Sequence, residues 1–426
     1  MKTILRSITA ELLAVLARLI VRKYKPAIVM VTGSVGKTST KDAVAATLHT
    51  ALFVRASAKS YNSEFGVPLT ILGAANPWSN PLGWARVFKE ALALLILPNH
   101  YPKVLVLEVG ADRPGDLARI LRIATPSLVI VTRLPAVPVH VEAYASPEAV
   151  REEEFAPAYA LAPGAPLVLS ADDSFALALA KRLDTKTVTY GMAPDADVRV
   201  INPGLHIEAG KPVGMQATLR AAKEEARIII RGALGEQQLL PAAAAIAAAL
   251  ALGLSFADAL EGLASYAPPP GRTRLLEGAN GSLLIDDSYN SSPAAVEEGL
   301  KALNLLRAKR RIAVLADMLE LGRYSVAEHE RIGALAAESA DIVVAVGIRA
   351  RALAEKAREG NEENVLAFDS AREAAGTLRG LIQEGDVLLI KGSQSMRMER
   401  VTEALLADPL DAAKLVRQDR EWKRKL

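Results

Sequence analysis

No cysteine occurs among the 426 residues. That excludes disulfides, thiol nucleophiles and cysteine-held metals, and it is compatible with a reducing cytoplasm. Aromatic residues are scarce, at 4% of the chain, and the formal net charge is only +3. No basic patch is interleaved with stacking rings, so no nucleic acid partner is expected. The apolar stretch at the N-terminus is broken by Arg6, Glu11 and Arg18 and closed by Arg22, Lys23 and Lys25. This argues against a spanning helix, and no small-residue cleavage site follows a short apolar run.

What is present is a large apolar fraction, 51%, much of it alanine, beside 23% charged residues. Such a chain builds a sizeable core, and its length predicts two or three domains. Ile4, Leu5, Ile8, Leu12, Leu13, Val15, Leu16, Leu19 and Ile20 recur at helical spacing. The spacing predicts an amphipathic helix within residues 1–26. It either docks on the protein's own body or lies on a membrane surface at the inner, cytoplasmic face.

The most informative stretch follows. Ile28 to Val31 is a β-branched apolar run ending in Thr32-Gly-Ser-Val-Gly-Lys-Thr-Ser39, and a helix-compatible run begins at Lys41. Strand, glycine loop and helix N-terminus make a phosphate cradle. Gly33 and Gly36 turn backbone N–H groups inward, Lys37 brings a point charge, and the Thr38 hydroxyl suits Mg²⁺. The general pattern asks for glycine where Val31 stands.

Apolar runs at 104–109, 128–132 and 166–170 alternate with helical stretches at 84–97 and 173–183, which predicts a mostly parallel sheet covered by helices. Residues 197–232 alternate apolar and polar and predict a small antiparallel patch, followed by an alanine-rich helix at 241–252. Ala267-Pro-Pro-Pro-Gly271 reads as a linker. Beyond it four more buried strands, starting at Leu283, Arg311, Ile342 and Val387, predict a second doubly wound unit without a second Gly-Lys-Thr loop. The expected fold class is therefore α/β. It has a short amphipathic helix (1–26), a central P-loop-type ATPase domain (27–268) and a C-terminal Rossmann-like domain (269–426).

Other candidates lie at strand ends, where ligands collect in parallel α/β sheets. Glu108 closes an apolar run and suits a metal or an attacking group; otherwise it caps a helix. His140 is one of five histidines and is either structural or a ligand. Asp286-Asp287-Ser-Tyr289-Asn290 ends the first strand of the last unit, as a charged site or an Asx-capped turn. Arg272, just past the linker, is placed to reach back to a nucleotide. Lys391-Gly-Ser-Gln-Ser-Met-Arg397 is either a carboxylate-recognition loop or a turn into a helix.

In order along the chain, the stretches 32–39, 61–70, 107–116, 140–142, 271–272, 285–293, 316–322 and 391–399 resemble the Mur-type amide ligases. Within them they resemble the type that adds D-alanyl-D-alanine to a muramoyl tripeptide. The resemblance implies that ATP phosphorylates a substrate carboxylate and that an amine then attacks the acyl phosphate. It implies ATP contacts at Thr32, Gly33, Ser34, Val35, Gly36, Lys37, Thr38, Ser39, Arg272 and Asp287. Thr38 and Glu108 would hold one Mg²⁺ and His140 a second, with Lys37, Glu108 and His140 as the catalytic set. Asn290, Lys391 and Arg397 would face the amine. The partners implied are a muramoyl-peptide-like carboxylate and a D-Ala-D-Ala-like amine.

Four departures stand out. The family usually begins with a domain holding the uridine-diphosphate end of the substrate, and a phosphate loop at residue 32 leaves no room for it. This keeps open a lipid-linked wall precursor as acceptor, or an ATP-binding protein at a membrane that no longer ligates. Many members carry a carbamylated lysine fourteen residues past the histidine, where Glu154 stands here; one of Glu152, Glu153 and Glu154 either replaces it or belongs to a solvated acidic face. The family's Gly-x-His-Asn reads Gly235-Glu-Gln-Gln, and the loop before His140 reads Arg133-Leu-Pro-Ala-Val-Pro.

Overall fold

Runs of valine, isoleucine and leucine without alternation make strands buried on both faces, and here they set the order of two sheets. The computed structural model describes residues 2–57, 61–78, 80–360 and 362–423. Among them, one sheet holds β1 (Ala27–Thr32), β2 (Val54–Ala56), β3 (Val104–Glu108), β4 (Leu128–Val131), β5 (Leu167–Ser170), β6 (Thr187–Gly191), β7 (Val198–Glu208), β8 (Lys211–Ala221) and β9 (Glu224–Arg231). Their order is β2-β3-β1-β4-β5-β6-β7-β8-β9. The first seven pair in parallel, and β7, β8 and β9 are antiparallel.

The antiparallel patch expected at 197–232 is thus present, but it is not separate. It extends the parallel sheet through a short pairing of Tyr190 with Val198 and Gly191 with Arg199. The alanine-rich helix, Leu240–Ala251, is buried from Pro241 to Ala249 and packs on α2 (Lys37–His49). Its small side chains let the phosphate-loop helix lie close to it.

The second sheet holds β10 (Arg274–Glu277), β11 (Leu283–Asp287), β12 (Arg310–Ala316), β13 (Ile342–Val346), β14 (Val365–Phe368) and β15 (Asp386–Lys391). The order is β10-β11-β15-β12-β13-β14, parallel except for β10. The α/β expectation holds for both sheets.

Helix α1 (Lys2–Tyr24) docks on α3 (Gly66–Leu72) and α4 (Pro81–Ile96). Leu13, Ala17 and Ile20 are fully buried in that contact. Lys23 Nζ donates to the carbonyls of Leu94, Leu95 and Leu97 at 2.8–3.0 Å, capping the end of α4. Helix α4 begins earlier than its apolar run suggested, because the Asn80 side chain accepts from the Leu82 and Gly83 amides. Among the described residues, no helix is long and apolar enough to cross a membrane.

Candidate active site

The phosphate loop is shaped by two glycines. Gly33 has φ +114°, and a Cβ there would lie 2.3 Å from Thr132 Oγ1. Gly36 has φ +92° and caps α2. Both positions need the left-handed freedom of glycine. The Ser34 amide donates to the Arg133 carbonyl at 2.9 Å, which ties the loop to the end of β4. The N-terminus of α2 then borders a cavity through Gly36, Lys37 and Thr38.

Lys37 folds back on its own loop. Its Nζ donates to the Gly33 carbonyl and lies 3.8 Å from Glu154 Oε1. Next to it, Thr38 Oγ1 donates to Glu108 Oε1 at 3.2 Å. Glu108 closes β3 and is 2% exposed. Its second oxygen, Oε2, is buried and has no hydrogen-bond partner among the described residues. Burial pushes its pKa up, against the pull of Lys41, Lys37 and Arg272. A hydroxyl beside an unpaired carboxylate oxygen is the donor set of a small hard cation, so these residues fit Mg²⁺.

Lys41 stands out only in the structure. It lies one turn beyond Lys37, is 1% exposed, and donates to the Ser57 carbonyl at 2.6 Å. The signal available in the sequence was its spacing of four from Lys37 on the helix face that packs inward.

The three consecutive glutamates of the helix Pro147–Tyr159 go separate ways. Glu152 pairs with Arg182 at the surface. Glu153 accepts from the Gly115 and Leu117 amides at 3.1 Å each. Glu154 is 2% exposed and accepts from the Ser34 hydroxyl of the phosphate loop. Burial pushes its carboxyl pKa up, while Lys37 and Ser34 pull the other way. The acidic run is therefore not one solvated face.

His140 sits with φ +65° at the start of a short 3-10 turn. Its Nδ1 lies 2.9 Å from Glu320 Oε2 and its Nε2 3.5 Å from Asp112 Oδ1. Burial lowers its pKa, but the hydrogen bond to Glu320 and the charges of Glu320 and Asp112 outweigh that and raise it.

From the other unit, Arg272 Nη2 reaches Thr38 Oγ1 at 3.5 Å. Its guanidinium also lies over the Tyr289 ring at 4.1 Å. Asp287 Oδ2 pairs with Lys391 Nζ at 2.7 Å, and Lys391 also donates to the Asn290 carbonyl at 2.9 Å. Arg397 Nε donates to Glu399 Oε1 at 2.6 Å, and Arg417 holds the other oxygen of Glu399 at 2.8 Å.

Two cavities flank the phosphate loop. The first, about 530 Å³, is lined by Lys37, Thr38, Glu108, His140, Arg272, Asn290 and Glu320 among others. The second, about 430 Å³, lies past Gly36, Ser39 and Thr40 and is lined by Gln237, Gln238, Asp287 and Lys391. The structure thus brings Lys37, Thr38, Glu108, His140 and Arg272 together. It divides the residues expected at the amine: Asn290 faces the first cavity, Lys391 the second, and Arg397 neither.

Comparison with known proteins accords with this geometry. The model described as Mur ligase middle domain matches residues 31–249, and the Mur ligase, glutamate ligase domain matches 271–394. A UDP-N-acetylmuramoyl-tripeptide–D-alanyl-D-alanine ligase of Mycobacterium tuberculosis is 30% identical over 404 residues, covering 89% of this chain and 73% of its own. The enzyme of the same name from Bacillus subtilis is 26% identical, with 94% and 80% covered. The crystal structure of MurF ligase from Thermotoga maritima in complex with ADP superposes with a TM-score of 0.76 at 26% identity, covering 93% of this chain and 83% of that one.

Proposed function

We propose, from the premise that this chain belongs to the Mur ligase family, that it joins a D-Ala-D-Ala-type dipeptide to the carboxylate of a muramoyl tripeptide in peptidoglycan precursor synthesis. It would act in the cytoplasm with ATP and Mg²⁺. The named substrates of its relatives support this reading. The observation that carries it is the pairing of Thr38 with the half-satisfied, buried Glu108, beneath an arginine from the other unit.

In this reading the nucleotide spans both cavities. Its base lies in the second, where the buried side-chain oxygens of Gln237 and Gln238 have no partner among the described residues and suit an exocyclic amine. Its phosphates cross the amides of residues 33–38 into the first. Thr38 and Glu108 would hold Mg²⁺, which when bound neutralises phosphate charge. Lys37 swings from the Gly33 carbonyl to the phosphates, and Arg272 adds charge from the opposite side. The substrate carboxylate oxygen forms a bond to the γ-phosphorus as ADP leaves. The amine nitrogen then bonds to the acyl carbon as phosphate leaves, and the nitrogen gives up a proton. Asn290, on the wall of the first cavity, lies on the amine's side, and His140 and Glu154 flank the phosphates.

The test is mass spectrometry of products after incubation with ATP, Mg²⁺, D-Ala-D-Ala and muramoyl tripeptide, nucleotide-linked or lipid-linked. A new amide with equimolar ADP is expected. ATP binding without amide formation on either acceptor would overturn the reading.

A peripheral membrane contact through α1 belongs to the same proposal. Opposite its buried face, Ile8, Leu12, Val15 and Leu19 are 42–52% exposed, spaced four, three and four apart. The stripe runs into Arg22 and Lys25, the pattern of a helix lying on an anionic surface. Co-sedimentation with vesicles containing anionic lipid, lost in Leu12→Glu/Leu19→Glu, is the expected result. Equal recovery in the supernatant with and without vesicles would overturn it.

A further inference from the structure

His140 and Glu320 belong to different units and meet inside the first cavity. Each is a non-glycine residue in the left-handed region, with φ +65° and +66°. Such a conformation is disfavoured for a residue bearing a Cβ and persists where surroundings over-determine it. Here the surroundings are each other. The Glu142 amide donates to the Glu320 carbonyl at 3.4 Å. Gly322, at φ +52°, lies so close to Glu142 that a Cβ would come within 2.9 Å of its Cβ and 3.1 Å of its Cα. The two turns therefore touch backbone to backbone, leaving the His140–Glu320 pair no slack.

The Glu320 turn is tied in its own unit to the loop after β15. The Leu319 amide donates to Ser393 Oγ at 2.9 Å, and the Ser393 amide donates to the Asp317 carbonyl at 3.1 Å. His329, fully buried, accepts from the Met318 amide at 3.0 Å and anchors the turn from below. Ser393 and Gln394 line the same cavity as Asn290. One rigid piece of the second unit thus carries both a wall of the amine side and the carboxylate that holds His140.

We propose that Glu320 is a positioning residue for His140. It occupies Nδ1 and turns Nε2 toward the Asp112 side of the cavity, 3.5 Å from Asp112 Oδ1, so the phosphate site acquires His140 in working orientation only when the C-terminal unit is seated. A carboxylate on one ring nitrogen fixes the tautomer and makes the other the available base or ligand. The inference rests on the ligase reading above, and it assigns to Glu320 the coupling between amine-side closure and the phosphate side.

The experiment is a double-mutant cycle in the full chain, with Glu320→Ala, Glu320→Gln, His140→Ala and Glu320→Ala/His140→Ala. Glu320→Ala is expected to lower kcat by about 10- to 100-fold with the Kd for ADP within about twofold. Glu320→Gln, which keeps an acceptor, restores most of the rate. In the His140→Ala background, Glu320→Ala adds nothing. Imidazole ¹⁵N shifts, assigned by loss of the His140 signal, are expected to show Nδ1–H in the parent and a tautomer mixture in Glu320→Ala. Multiplying effects in the cycle, or an unchanged His140 tautomer, would overturn the proposal. A parent that makes no amide overturns the ligase reading instead, and the ¹⁵N shifts still decide the role of Glu320.

Discussion

Asp287 and Lys391 occupy paired positions on the neighbouring parallel strands β11 and β15, and their side chains form an ion pair of 2.7 Å with almost no solvent contact. Burial pulls the Lys391 pKa down and the Asp287 carboxylate pulls it back. Removing one partner of such a pair leaves a bare charge, which costs about 3–5 kcal/mol. Lys391→Met should therefore lower unfolding stability by that order in urea titrations. Lys391→Met/Asp287→Leu should recover much of the loss. A single variant as stable as the parent would show that the pair is not structural, and an intact Kd for ADP in the double variant would remove Asp287 from the nucleotide site.

Glu108 tests the metal assignment. Glu108→Gln keeps size and an acceptor for the Thr38 hydroxyl but removes the charge. The rate of amide formation is expected to fall on the order of 100-fold, and the Mg²⁺ concentration for half-maximal rate to rise. ADP affinity without metal should hold or improve, since a buried carboxylate near the phosphates has been neutralised. Unaltered Mg²⁺ dependence would take Glu108 out of the metal shell.

Glu154 stands where the resemblance places a carbamylated lysine, and its carboxylate already faces the phosphate loop through Ser34 and Lys37. It needs no carbon dioxide to be charged. Glu154→Gln is expected to reduce kcat by about 10- to 100-fold, with no recovery on adding bicarbonate. Glu154→Lys should be weak but bicarbonate-responsive, because a lysine amine can form the carbamate. Parent activity that rises with bicarbonate would contradict a permanent carboxylate.

The phosphate loop was legible because its conformation is local: a strand, two glycines and a helix start lie within thirteen consecutive residues, 28–40. Short edge strands were not. β2 has three residues and β14 four, too few for alternation to show. Glu154 was half legible. Val150, Glu154 and Ala158 recur every four residues on the buried face, a periodicity that separates it from Glu152 and Glu153. Lys391 and Asn290 read as neighbours in function, yet only the register of β15 against β11 turns the lysine to the other cavity. The meeting of His140 with Glu320 depends on how two sheets pack, and no local pattern encodes that.

Asp286 offers a pH test apart from the catalytic groups. It is fully buried on β11, with Oδ1 accepting from Thr402 at 2.9 Å and Oδ2 lacking a partner among the described residues. Burial, opposed by the Ser288 and Thr402 hydroxyls and helped by Asp287 and Glu399, raises its pKa from 3.8 to about 6. The folded state therefore holds this proton more tightly than the unfolded chain does. Its favourable contribution is complete below the unfolded value of 3.8, fades as pH rises, and is gone above about 6. At about 1.4 kcal/mol per pH unit, the span corresponds to a ceiling of about 3 kcal/mol. Asp286→Asn keeps an acceptor for Thr402 and cannot ionise. Its stability relative to the parent, measured by denaturant unfolding from pH 4 to 8, should climb between pH 4 and 6 and then level off. A difference that stays flat across that window would mean Asp286 titrates as an ordinary carboxylate, with water reaching Oδ2 in solution.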